Sequence, residues 1–201
     1  RGGSKIAGLC LDATLGTEGQ TVTLLYADST KGWLNIQTDS TVKGSVYVTA
    51  SGGTETTSGD YKIHTFTSDG TFTVTGAGSP GGSTKVSYMV VAGGGGTARD
   101  GGGGGGAGGF REGKCSSDPY TASPLAATPC SALTASVGTF PITVGAGGTP
   151  GGVPGCVVST NGANSVFSTI TSAGGGRGGQ HPTPNLPGAA GGSGGGGRSN
   201  N

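Results

Sequence analysis

Aromatic residues are scarce in this chain, 5% of 201 positions with a single Trp and a single Met, and hydrophobic residues of all kinds reach only 31%. Little side-chain volume is left for a conventional core. Charge is equally thin: eleven Lys and Arg against ten Asp and Glu give a net charge of +1. Such a balance offers no electrostatic footprint for nucleic acid or an anionic membrane. No apolar run approaches the length of a membrane span, so no membrane insertion is expected. The chain starts at Arg1 with no signal-peptide pattern, as expected of a piece processed from something longer. Cys10, Cys115, Cys130 and Cys156 lack Cys-x-x-Cys or Cys/His spacing for zinc, so neither a metal nor another cofactor is predicted. There is no Asn-x-Ser/Thr acceptor for a glycan.

What the chain has is glycine, 48 of 201 residues, against a usual share of about 7%. A Gly-X-Y period is missing, which excludes collagen. Glycine loses more freedom on ordering than any other residue, so the long runs order only if something holds their backbone. An extended glycine run can adopt a threefold helix rising about 3.1 Å per residue, with every amide pointing outward. Without Cβ atoms such runs can approach closely and satisfy one another's amides and carbonyls, the packing of polyglycine II. The alternative is glycine-rich loops wrapped over a β-sandwich.

The expected fold is all-β with no helix: a small N-terminal β-module over 1–58, then a glycine-rich, β-sandwich-like body over 59–201. The first part reads as short strands at Thr21–Tyr26, Gly32–Ile36 and Ser45–Thr49, with Trp33 as a packing anchor. From Asp60 a hairpin is predicted, Tyr61–Thr67 joined through Ser68-Asp69-Gly70 to Thr71–Thr75, placing His64 opposite Val74. Then a theme repeats in which a β-rich run ends and a Gly/Ala-rich run follows. Its instances are Thr71–Gly78, Tyr88–Gly94, Phe140–Gly148 and Val166–Gly176. The irregular spacing excludes a solenoid with a fixed rung.

Chemistry-bearing motifs are few. The glycine runs lack the following helix and the Gly-Lys-Ser/Thr end of a phosphate loop. Asp60, Asp69, Asp100, Glu112 and Asp118 lie beside glycine or in turns, and His64 has no nucleophile or carboxylate placed beside it by a motif. An enzyme is therefore not expected. Arg99, Arg111, Arg177 and Arg198 punctuate glycine singly rather than densely, which reads as solvated side chains and not as RNA-binding Arg-Gly-Gly segments. Cys115 and Cys130 bracket a Ser/Pro-rich loop and could close it as a disulfide worth about 3 kcal/mol, the alternative being free thiols.

The segments Tyr61–Val74, Val90–Gly96, Gly105–Gly113 and Asn164–Ser168 carry a family resemblance. From Asp60 onward the chain resembles the glycine-rich domain of bacteriophage tail-fibre and virion structural proteins, and its N-terminal strands look similar to the small β-modules preceding such domains. The resemblance implies a virion-surface, extracellular role as a fibre or its tip. It implies a homo-oligomer, with a trimer favoured, among other virion proteins, contacting a host cell-surface glycan or outer-membrane protein. By the same resemblance the loops 116–129 and 180–187 are candidates for contact. Residues able to stack or hydrogen-bond from exposed loops are Arg111, Tyr120, His181 and Asn185. The rival reading is a self-assembling extracellular filament subunit with a purely architectural role.

Overall fold

The computed structural model describes residues 5–6, 13–14, 22–35, 43–44, 46–79, 82–99, 101–115, 118, 120–121, 131–152, 157–180 and 185–199. These residues are all-β with no helix, and none is therefore long and apolar enough to cross a membrane as one. The strands are β1 (Ala13–Thr14), β2 (Leu24–Asp28), β3 (Gly32–Asn35), β4 (Lys43–Gly44), β5 (Val48–Ser51), β6 (Thr54–Ser58), β7 (Tyr61–Thr65), β8 (Gly70–Ala77), β9 (Lys85–Val86), β10 (Tyr88–Val91), β11 (Phe110–Gly113), β12 (Leu133–Thr134), β13 (Gly138–Thr143), β14 (Ser165–Phe167) and β15 (Ile170–Ser172). Two compact units result, neither continuous in sequence. One takes 1–50, 74–85 and 134–137, the other 51–73, 86–133 and 138–201.

In the first unit β2 and β3 form an antiparallel hairpin with Tyr26 opposite Trp33. Asp28 shapes its turn: one carboxylate oxygen accepts the N–H groups of Thr30 at 2.8 Å and Lys31 at 2.6 Å, and Gly32 follows at φ 70°. Trp33 is not the buried anchor expected. It stays 40% exposed, with its ring against the edge of Tyr26 at 5.4 Å. Its backbone is held on the other side, where the Trp33 N–H donates to the Lys5 carbonyl and Ile6 pairs with Trp33 in parallel.

In the second unit the expected hairpin is replaced by another. β7 pairs with β6, and His64 faces Glu55 rather than Val74. The two-residue loop Gly59-Asp60, with Gly59 at φ 57°, is a turn matched to strand twist, and it outcompetes the longer Ser68-Asp69-Gly70 connection. His64 donates its Nδ1–H to the Gly52 carbonyl at 2.8 Å, and its ring meets Phe72 edge-on at 5.2 Å. Phe72 in turn packs against Phe167, which also meets Tyr88. β13, β14 and β15 form an antiparallel meander, and β10 pairs with β11. Among the described residues of this unit the buried apolar set is small: Phe72, Val90, Ala92 and Ala132.

Much of the rest of the described second unit is rich in glycine. Seven extended runs, 92–99, 101–109, 144–152, 157–164, 172–180, 186–192 and 193–199, are joined laterally by backbone hydrogen bonds. Bonds from one run to a given neighbour recur every third residue. Ala92, Gly95 and Ala98 donate to the second run, Gly93 and Gly96 to the fourth. This is the period of a threefold helix, not the alternation of a sheet. The runs pack as polyglycine II.

Directions alternate along the chain. The second run lies antiparallel to the first, with Gly95 bonded to Gly106, while the third and fifth are parallel to the first, as Gly148 to Gly94 and Gly175 to Gly93 show. The fifth run is central and bonds the first, second, fourth, sixth and seventh. Every N–H from Gly174 to Gln180 is satisfied: Gly175, Gly176, Gly178, Gly179 and Gln180 donate to backbone carbonyls, Gly174 and Arg177 to the side chains of Asn164 and Asn161. The carbonyls of Ala173 through Gln180 are all engaged as well, that of Gly178 by the Ser159 hydroxyl. A buried backbone is thus fully paired without a sheet.

Sterics explain which positions are glycine. A Cβ built on Gly95 would overlap the Gly176 carbonyl, one on Gly176 the Ala189 carbonyl, and one on Gly178 the Gly103 carbonyl. At Gly104 and Gly197 a Cβ would meet nothing within 4 Å. Side chains enter the runs on this outward phase, at exposed Thr97, Ala107, Thr149 and Ala163.

Candidate functional site

The first, third, fifth and seventh runs are mutually parallel, so their C-terminal ends coincide at one end of the bundle. The first reverses there through a turn closed by the Gly102 N–H on the Arg99 carbonyl, with Gly101 at φ 73°. The third and fourth are joined there by reciprocal bonds between Gly152 and Val157, the fifth and sixth by reciprocal bonds between Gln180 and Leu186. Ser199, ending the seventh, donates to Gly101. β10, β13 and β15 lead into the first, third and fifth runs, and β11 and β14 leave the second and fourth, from the opposite end.

Polar side chains lock this loop-bearing end. Gln180 is buried, accepting from the Ser159 N–H and donating to the Val157 carbonyl, both at 3.4 Å. Arg177 donates from Nη1 to the Pro187 carbonyl at 3.1 Å. Farther along the bundle, the N–H groups of Arg177 and Gly174 in the central run donate to side chains and not to backbone, Asn161 and Asn164 supplying amide carbonyls at 2.9 Å each. Their spacing of three residues matches the helical period. Nothing in the sequence marks these two asparagines, because their role exists only once the runs are laterally packed.

The candidate contact residues are not brought together. Asn185 lies exposed in the reversal between Gln180 and Leu186, at the loop-bearing end, and His181 lies outside the described residues. Arg111 is exposed on β11 opposite Val90. Tyr120 belongs to a second cluster: its ring meets Tyr61 edge-on at 6.5 Å and carries the Lys114 ammonium 4.5 Å above it. Lys114 also donates to the Asp118 and Tyr120 carbonyls, and Asp118 accepts from Ser87 and from the Cys115 N–H. Tyr61 titrates above the usual phenol range, through desolvation first and then the negative charges of Asp118, Tyr120 and Asp60. Cys115 is disulfide-bonded. Cys130 lies outside the described residues, while its sequence neighbour Ser131 donates its N–H to the Lys114 carbonyl.

Among the described residues no three His, Cys, Asp or Glu side chains gather to hold a metal ion. A hollow of about 180 Å³ beside Phe66 and Asp69 is below the several hundred Å³ of ordinary small-molecule sites.

Residues 66–201 match the family model described as glycine-rich domain. The chain belongs to the glycine-rich domain family. No curated protein and no solved structure matches it. The matched stretch of this glycine-rich domain begins at Phe66 and takes in all seven runs, so the family's span coincides with the packed glycine and the strands that feed it.

Proposed function

We propose that this glycine-rich domain is a non-enzymatic virion structural protein, a bacteriophage fibre or adhesin that presents the loop-bearing end of its bundle to a host cell-surface glycan or outer-membrane protein. The observation that carries the reading is the convergence of three chain reversals at one end of a rigid, backbone-bonded body. Loops on a rigid scaffold are where binding residues concentrate, and a body without side-chain interdigitation tolerates change in those loops. The exposed Leu24, Leu25, Tyr26 and Trp33 of β2 and β3 support assembly with further copies, a trimer being favoured. Identical copies then add weak contacts through effective concentration.

The test is competition for host adsorption by the purified chain. Wild-type chain is expected to reduce phage adsorption, and a double variant His181→Ala, Asn185→Ala to compete at least about tenfold less well. Equal competition by both would sink the assignment of the loops. A second reading, the architectural filament subunit, draws on the perimeter runs, where outward glycines such as Gly104 and Gly197 leave room for a neighbouring backbone. Open-ended filaments with a helical repeat in electron micrographs would favour it over finite rods.

A further inference from the structure

The geometry points to an oxyanion site at the loop-bearing end, held by the Arg198 guanidinium and taking a phosphate or carboxylate group. Arg198 Nη1 is buried and has no hydrogen-bond partner. A guanidinium cannot shed its proton, so this is a charged donor removed from water and left unanswered, the kind of group that marks a missing ion or ligand oxygen. Among the described residues the ion pairs join Lys62 and His64 to Glu55, and none involves Arg198.

The surroundings suit an anion. Ser199 donates to the Gly101 carbonyl, inside the turn that Gly102 closes on the Arg99 carbonyl, so Arg198 and Arg99 each lie within two residues of this bond. Arg99 is engaged with neighbours of its own and is a second cation at this end of the bundle. Arg198 is half-buried while Gly197 and Ser199 beside it are exposed, so the residue as a whole lies at the surface although its Nη1 does not reach solvent. The planar fork of arginine matches two oxygens of a phosphate or carboxylate, which an ammonium cannot do. Such a group occurs on phosphorylated and on uronate-bearing surface saccharides alike. The link of this site to attachment rests on the function proposed above; oxyanion binding itself does not.

The experiment follows the arginine Nε–H signals of the full-length, ¹⁵N-labelled chain while sodium phosphate, or sodium acetate in a parallel arm, replaces sodium chloride at constant ionic strength. A saturable shift of the Arg198 signal in either arm is expected, the responsive arm naming the group. Arg198→Gln should weaken that binding by about tenfold or more, with the glycine amide fingerprint retained, and Arg198→Lys by a smaller factor. Lys62→Gln, on β7, should leave it within about twofold. No saturable shift in either arm, or equal loss in the Lys62 and Arg198 variants, overturns the site. Oxyanion binding lost in Arg198→Gln with adsorption competition intact would keep the site and remove its role in attachment.

Discussion

At the residue scale, glycine in this domain divides into positions that need it and positions that do not. Gly176 and Gly104 share composition and neighbourhood in sequence, yet a Cβ on the first would strike the Ala189 carbonyl and one on the second would meet open space. Gly176→Ala is expected to cost about 1–3 kcal/mol, because the sixth run must shift and strain or lose its bonds. Gly104→Ala is expected to be neutral or to stabilise by about 0.4–1 kcal/mol, since alanine reduces the freedom of the unfolded chain. Thermal unfolding of the two variants checks this, and equal destabilisation would contradict it. Asn161 and Asn164 are the residues that finish the lattice with side chains in place of backbone. Replacing Asn164 with Ala strands the N–H of buried Gly174 and should cost about 1–3 kcal/mol, whereas Asn164→Asp, which keeps the acceptor, and Asn161→Ala, at a bond open to solvent, should each cost less. Denaturant titration separates the two outcomes.

At the element scale, much of the plan is visible in the order of strand and glycine. Tyr88–Gly94, Phe140–Gly148 and Val166–Gly176 each deliver a strand into a run, as the pattern predicts, while Gly76 and Ala77 of the first instance are absorbed into β8. Pairing partners are less visible, because Thr54–Ser58 and Thr71–Thr75 are similarly rich in threonine and either can flank β7. The deciding signal was Gly59-Asp60, a two-residue hairpin loop, which a reading centred on Gly70 passes over. The loop-bearing end is hardest to read: Arg99, Gln180 and Arg198 are far apart in sequence and carry no motif, and only the parallel order of alternate runs collects them. The disulfide at Cys115 also belongs to this scale. With Ser131 tied to Lys114 by both its N–H and its hydroxyl, peptide mapping without reduction is expected to join Cys115 to Cys130, and a link to Cys10 or Cys156 would contradict that expectation.

At the scale of the whole molecule, a chain poor in apolar residues replaces side-chain burial with backbone pairing. Each hydrogen bond contributes only about 0.5–1.5 kcal/mol net, and each glycine costs about 0.5–1 kcal/mol more than alanine to order. A run with one bond per residue therefore barely holds, whereas the central run, donating and accepting at every residue, is firmly held. Stability should fall from the fifth run outward. The most direct test is native-state hydrogen exchange of the individual glycine amides by NMR. Slow exchange is predicted at every amide from Gly174 to Gln180, at Gly93, Gly95, Gly96 and Ala98 with fast exchange at Gly94 and Thr97, and at Gly103, Gly106 and Gly109 with fast exchange at Gly104 and Ala107. Uniformly fast exchange through the runs, or protection at every second residue, would contradict the packed threefold lattice.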